Sequence, residues 1–178
     1  NINKEDSILF VTQGSKTDIF TLYRLAIKLA FHQRKMKVKV LLHPAAYLGI
    51  SFKVLNKFFE LFLSNFLCLS SSDENMFSKS KFMIYFSSSL SIEKMTHDIR
   101  PVHLANTTNI NPLDALVNKE NPTLSWCTQA KNLDDILNLI NIDSNLDSMM
   151  GVYSRQNAKN FSKEYFEPFQ LSKEIIAD

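Results

Sequence analysis

Short apolar runs alternate along the chain with longer stretches in which apolar residues recur every three or four positions. The runs are 7–12 (SILFVT), 38–42 (VKVLL), 66–69 (FLCL), 82–86 (FMIYF) and 102–104 (VHL). Runs this short, bounded by turn-forming residues, predict strands. FMIYF has no charged or strongly polar position, as expected of a strand buried on both faces. Between the first two runs, 17–34 predicts a helix. Ile19, Leu22, Tyr23, Ala26 and Ala30 fall on its apolar face, and Thr17, Thr21, Arg24 and Lys28 on its polar stripe. A second helix is predicted over 52–65. Its stripe is Lys53, Lys57, Glu60 and Ser64, and Val54, Leu55, Phe58, Phe59 and Phe62 are expected to face the core. Short helices are predicted over 73–79 and from the serine run at 87–89 to His97. Trp126-Cys127 predicts the last strand, and 134–140 the helix after it. Residues 145–178 predict a helical extension that packs back through Phe161, Tyr165, Phe166 and Phe169 and kinks or breaks at Pro168.

Strand, helix, strand, helix in this order predicts an α/β fold. Its centre is a doubly wound parallel sheet with helices on both faces. The right-handed crossover then brings the C-terminal ends of all strands to one edge, where ligands of such folds bind. Residues 1–178 read as one domain of this kind, with 145–178 as its extension. Three segments follow strand ends and so share that edge: Gln13-Gly14-Ser15, His43-Pro44 and Ser87-Ser88-Ser89.

The serine run opens a helix after a buried strand. Helix-terminal N–H groups and hydroxyls together suit a phosphate. Glu93, a few residues on, could accept ribose hydroxyls; an N-cap with a nearby capping-box Glu is the structural alternative. Pro44 stops strand pairing, so His43 projects over the edge. There it could donate to a phosphate or act as general acid on a departing nucleotide. Gly14 permits close backbone approach to a ligand. There is no GxGxxG and no P-loop, which takes most of the weight from dinucleotide and NTPase readings, and no GxSxG, which counts against hydrolase chemistry. His97 and His103 read as residues flanking an Arg100-Pro101 turn.

Composition adds limits. The chain has 178 residues, 45% hydrophobic and 21% charged, enough to bury a core without disulfide or metal. Cys68 and Cys127 read as small buried hydrophobes in a reducing compartment. Four scattered His and no CxxC predict no metal site. A net charge of +2 is too small to suggest nucleic acid. The basic group Arg24, Lys28, Arg34, Lys35, Lys37 and Lys39 reads as a solvated face, or as contact with an anionic membrane. No run is long enough to span a bilayer and no leader opens the chain, so a cytoplasmic location is expected, with peripheral contact at the inner membrane face as an extension of it.

The order of VLLHP and MIYFSSSLSIE resembles the C-terminal domain of GT-B glycosyltransferases. The likeness is to bacterial sialyltransferases, polysialyltransferases and capsule transferases with an HP motif and a serine motif at strand ends. It extends over roughly residues 7–105. It implies one Rossmann-like half of a GT-B fold that binds a nucleotide-sugar donor, CMP-linked by preference. His43 would be the catalytic residue, and Gln13, Gly14, Ser15, Pro44, Ser87, Ser88, Ser89 and Glu93 would line the donor site with it. No metal or other cofactor is implied, and the acceptor would be a glycan or glycolipid. The family's acidic motif ending in Gly does not occur here. The resemblance therefore places the catalytic base in a preceding Rossmann half outside this chain. A nucleotide-sugar epimerase and a non-catalytic nucleotide-binding module share the architecture and stand as alternatives.

Overall fold

The computed structural model describes residues 7–13, 15–43, 49–69, 74–87, 90–105, 113, 116, 125–142 and 149–176. Six strands form one sheet: β1 (Ser7–Val11), β2 (Lys37–Leu41), β3 (Phe66–Leu69), β4 (Phe82–Tyr85), β5 (Arg100–Leu104) and β6 (Thr128–Ala130). Their order is β3-β2-β1-β4-β5-β6, and every pair is parallel. β1 is therefore central, and the order reverses between it and β4. The doubly wound α/β sheet expected from the alternating pattern is the fold.

Side chains alternate along β1. Ile8 and Phe10 enter a core with helices α1 (Lys16–His32), α2 (Ile50–Phe62) and α5 (Leu133–Ile142). Leu9 and Val11 enter the opposite core, with α3 (Glu74–Lys79), α4 (Leu90–Lys94), its 3-10 continuation Met95–His97, and α6 (Met149–Ile176). All five β1 residues are buried, as a strand covered on both faces requires. Asn65 fastens the entry to β3. Its amide donates to the carbonyls of Ala30, Gln33 and Met36 at 3.0–3.1 Å, which ties off the end of α1.

Four sequence expectations change. The face that α2 turns to the sheet carries Phe52, Asn56, Phe59 and Leu63, while Val54, Leu55, Phe58 and Phe62 are exposed. A polar chain sets this rotation: the Tyr23 hydroxyl donates to Asn56, Asn56 donates to Glu60, and Glu60 accepts the Cys68 N–H. Arg100-Pro101 is strand, not turn. The Arg100 N–H donates to Lys81 on the β4 side, so the Pro101 nitrogen faces β6, whose pairing starts only at Val102. His103 is consequently buried inside β5. β6 begins at Thr128 and not at Trp126, because the Ser125 and Trp126 carbonyls accept hydrogen bonds from the Arg100 side chain. Helix α6 continues through Pro168, so of the expected kink or break there the break does not occur.

Helix α6 docks through Asp98, a residue in the left-handed region (φ 62°) after the 3-10 turn. Arg155 clasps both carboxylate oxygens (2.9 and 2.7 Å) and Lys159 reaches one of them. Burial acts to raise the Asp98 carboxyl. The hydrogen bonds and charges of Arg155 and Lys159 outweigh it and hold the group below its ordinary 3.8. A depressed carboxylate contributes stability that is present above the unfolded value and lost as pH falls through the folded one. Asp98→Asn tolerates the left-handed backbone but removes the charge. It is expected to cost about 1 kcal/mol at neutral pH, a modest figure because all three side chains are partly solvated. In urea titrations the gap to wild type should close as pH falls from above 3.8 through the lower folded value. A gap independent of pH would exclude the ion pair as its source.

Candidate functional site

Sheet register decides which strand-end segments meet. Leu41 of β2, Val11 of β1 and Tyr85 of β4 form one row across the sheet. His43, Gln13 and Ser87 each stand two residues beyond that row. Three strands at the usual spacing of roughly 4.8 Å make a row about 10 Å wide. The row lies where the strand order reverses, the position at which open α/β sheets leave a crevice at their carboxyl edge.

Thr12 locks two of the segments together. It is buried, and its hydroxyl donates to the Leu41 carbonyl (3.1 Å). The same oxygen accepts the His43 N–H (2.9 Å), and the Thr12 N–H also donates to Leu41 (3.0 Å). The backbone of His43 is thus fixed to the end of β1 while its side chain is exposed. Gln13 follows. Its amide nitrogen is buried and has no hydrogen-bond partner among the described residues. A buried donor in that state is a place where a ligand or water is accommodated. Ser15 then serves as the N-cap of α1 in extended conformation (φ −71°, ψ 126°), and its side chain makes no capping hydrogen bond. The first-turn N–H groups of this 17-residue helix consequently begin at the edge without a side-chain cap.

On the other side of the row, β4 gives way to buried Phe86 and exposed Ser87. Gly14, Pro44, Ser88 and Ser89 lie outside the described residues. Glu93 is on α4 with its side chain exposed, in an ion pair with Lys94 (2.6 Å). It is not part of the row. Helix α4 itself has five residues, so α1 offers the longer helix terminus at this edge.

Sequence reasoning passed over Thr12 and misplaced His103. His103 pairs in register with Tyr85, and the two rings lie 5.7 Å apart. Burial, with a contribution from Cys127, pushes the Tyr85 phenol well above its ordinary value despite a hydrogen bond with Ser91. Tyr85 thus stays neutral beside the row. Burial also pushes both thiols up to about 12, helped by Glu60 at Cys68 and opposed by Arg100 at Cys127. Neither is a thiolate nucleophile at neutral pH. Among the described residues no group of three or more His, Cys, Asp or Glu could hold a metal ion, and no helix is long and apolar enough to cross a membrane.

No family model matches the chain, and no curated protein matches it. Solved structures do. The pneumococcal O-GlcNAc transferase GtfA, in complex with UDP and GlcNAc, is similar with TM-score 0.60 at 11% identity, over 99% of this chain and 37% of that one. The UDP-GlcNAc 2-epimerase of Neisseria meningitidis, bound to UDP-GlcNAc, is similar with TM-score 0.53 at 14% identity, over 93% and 45%. The S. aureus MnaA–UDP structure gives 0.53 at 9%, over 98% and 48%. The chain thus spans less than half the length of these neighbours. What they share with it is the fold, the Rossmann-like architecture of GT-B-type proteins.

Proposed function

We propose that this chain is the donor-nucleotide-binding half of a GT-B-type glycosyltransferase. The observation that carries the reading is the register row, which brings His43, Gln13 and Ser87 to equal height at the switch point. The unpartnered Gln13 amide and the uncapped start of α1 supply donors beside it, as a phosphate requires. Neighbours of the same fold bind UDP or UDP-GlcNAc, which supports a nucleotide sugar as the ligand class. Within that class, the HP and serine motifs favour a CMP-linked sialic acid, transferred to a glycan or glycolipid acceptor.

In this reading the nucleotide departs from the anomeric carbon, and charge grows on its phosphate. The α1 N–H groups, the hydroxyls of Ser87, Ser88 and Ser89, and the His43 imidazole stabilise that charge. Gly14 and Pro44 are proposed as further donor-site residues, and Glu93 as the ribose acceptor once released from Lys94.

Calorimetry with CMP, CDP and UDP tests the proposal. CMP-selective binding that falls in His43→Ala supports the sialyl donor, and failure of every nucleotide to bind at millimolar concentration would sink the whole reading. Ser88→Ala is expected to weaken donor binding by about 1 kcal/mol or more, the scale of a hydrogen bond to a charged group. Unchanged affinity would remove Ser88 from the phosphate site. One similar structure is a UDP-GlcNAc 2-epimerase, which favours a nucleotide-sugar epimerase as the second reading. UDP-selective binding with turnover of UDP-GlcNAc in the absence of acceptor would favour it.

A further inference from the structure

The outward side of α2 is apolar where a solvent-facing helix should be polar. Ile50, Val54, Phe58 and Leu61 follow the i, i+4, i+8, i+11 spacing of one helix face, and they are 81%, 65%, 58% and 81% exposed. The patch continues onto α1. Exposed Phe62 stacks on Phe58 (6.0 Å, 6° between planes) and meets exposed Phe31 at 6.1 Å. A contiguous apolar surface of this kind marks a contact site.

Charge identifies what it contacts. Between residues 16 and 69 stand nine Lys and Arg against two Asp and Glu, in a chain whose net charge is +2. Lys53 and Lys57 are exposed along one side of the α2 patch, and Arg24 and Lys28 are exposed on α1. One of the two acids, Glu60, is engaged by Asn56 and the Cys68 N–H. A second copy of this chain would bring the same basic surface against itself, a like-charge contact. An anionic lipid surface satisfies both halves of the pattern: headgroups pair with the lysines and arginines, and the phenylalanines and aliphatics enter the acyl boundary.

We infer that α2, with the adjoining outer face of α1, is an interfacial anchor that seats this domain on a membrane rich in anionic lipid. Helix α2 starts at the carboxyl edge of the sheet, just after the segment that carries His43. The anchor therefore flanks the candidate site, although it does not depend on nucleotide binding there.

Co-sedimentation of the full chain tests this with vesicles of phosphatidylcholine alone and of phosphatidylcholine mixed with phosphatidylglycerol. Binding is expected only to the mixed vesicles and should weaken as salt rises. Lys53→Gln and Lys57→Gln should each reduce the partition coefficient on the order of fivefold. Phe58→Glu should reduce it about tenfold or more. These side chains are exposed, so the variants should fold; unchanged circular dichroism and thermal midpoint would verify it. Equal binding to neutral vesicles, or none to either, overturns the proposal. So does a concentration-dependent dimer abolished by Phe58→Glu, which would assign the patch to a second copy.

Discussion

Arg100→Ala is expected to lower the free energy of unfolding by about 4 kcal/mol, a large share of the stability of a domain this size. Arg100 is the largest fully buried side chain among the described residues, only 1% exposed. Its guanidinium donates to the carbonyls of Ser125 (2.9 Å) and Trp126 (3.3 Å) and lies 5.9 Å from the centre of the Phe82 ring. Truncation leaves a cavity at the base of β4 and β5, and it leaves two carbonyls without these donors. Each lost bond from a charged donor contributes about 1.5–3 kcal/mol, partly offset by relaxation. The damage should spread to α6. Trp126 donates its backbone N–H to Ser154 (2.8 Å) and lies under the Arg155 guanidinium (5.1 Å). Arg100→Met fills much of the volume without the donors, and should cost about 2 kcal/mol. Urea denaturation monitored by circular dichroism checks both values. If Arg100→Ala costs less than about 1 kcal/mol, the buried guanidinium does not organise the 125–126 segment.

The centre of the sheet was legible in the sequence because β1 and β4 are short, apolar runs followed by turn-forming residues. FMIYF and SILFVT read correctly to within a residue at their ends. The row of site segments was legible for the same reason: strand ends in a parallel sheet share an edge whatever the side chains are. Elements whose structure depends on distant partners read poorly. Helix α2 has apolar residues around most of its circumference, and periodicity alone could not choose which arc faces the sheet. The choice is made by Tyr23 and by the Cys68 N–H, which engage Asn56 and Glu60 from other elements. Pro101 looked like a turn because its place in β5 is permitted only by the late start of β6 pairing. Trp126 and Cys127 looked like strand because nothing local shows that Arg100 occupies the neighbouring carbonyls. Thr12 went unnoticed since one threonine after an apolar run carries no signal. Its partners Leu41 and His43 lie 29 and 31 residues away.

That threonine gives the sharpest test of how the fold serves the site. Thr12→Val keeps the volume and β-branching but removes the oxygen that accepts the His43 N–H and donates to Leu41. The Leu41 carbonyl keeps the Thr12 N–H as a donor. The main loss is therefore at His43, whose backbone is no longer tied to β1. Stability is expected to fall by about 1–2 kcal/mol, the cost of a part-buried N–H left without its partner. Nucleotide affinity should fall about tenfold, equivalent to about 1.4 kcal/mol, because the His43 side chain then samples positions away from the phosphate. Thr12 touches no ligand in this account; it acts by holding His43 in place. Two controls separate that role from general destabilisation. Thr12→Ser retains the hydroxyl and should restore the affinity. In a His43→Ala background, Thr12→Val should weaken binding no further, since the side chain it positions is gone. Full additivity of the two substitutions would mean that Thr12 supports the sheet edge as a whole and does not act through His43.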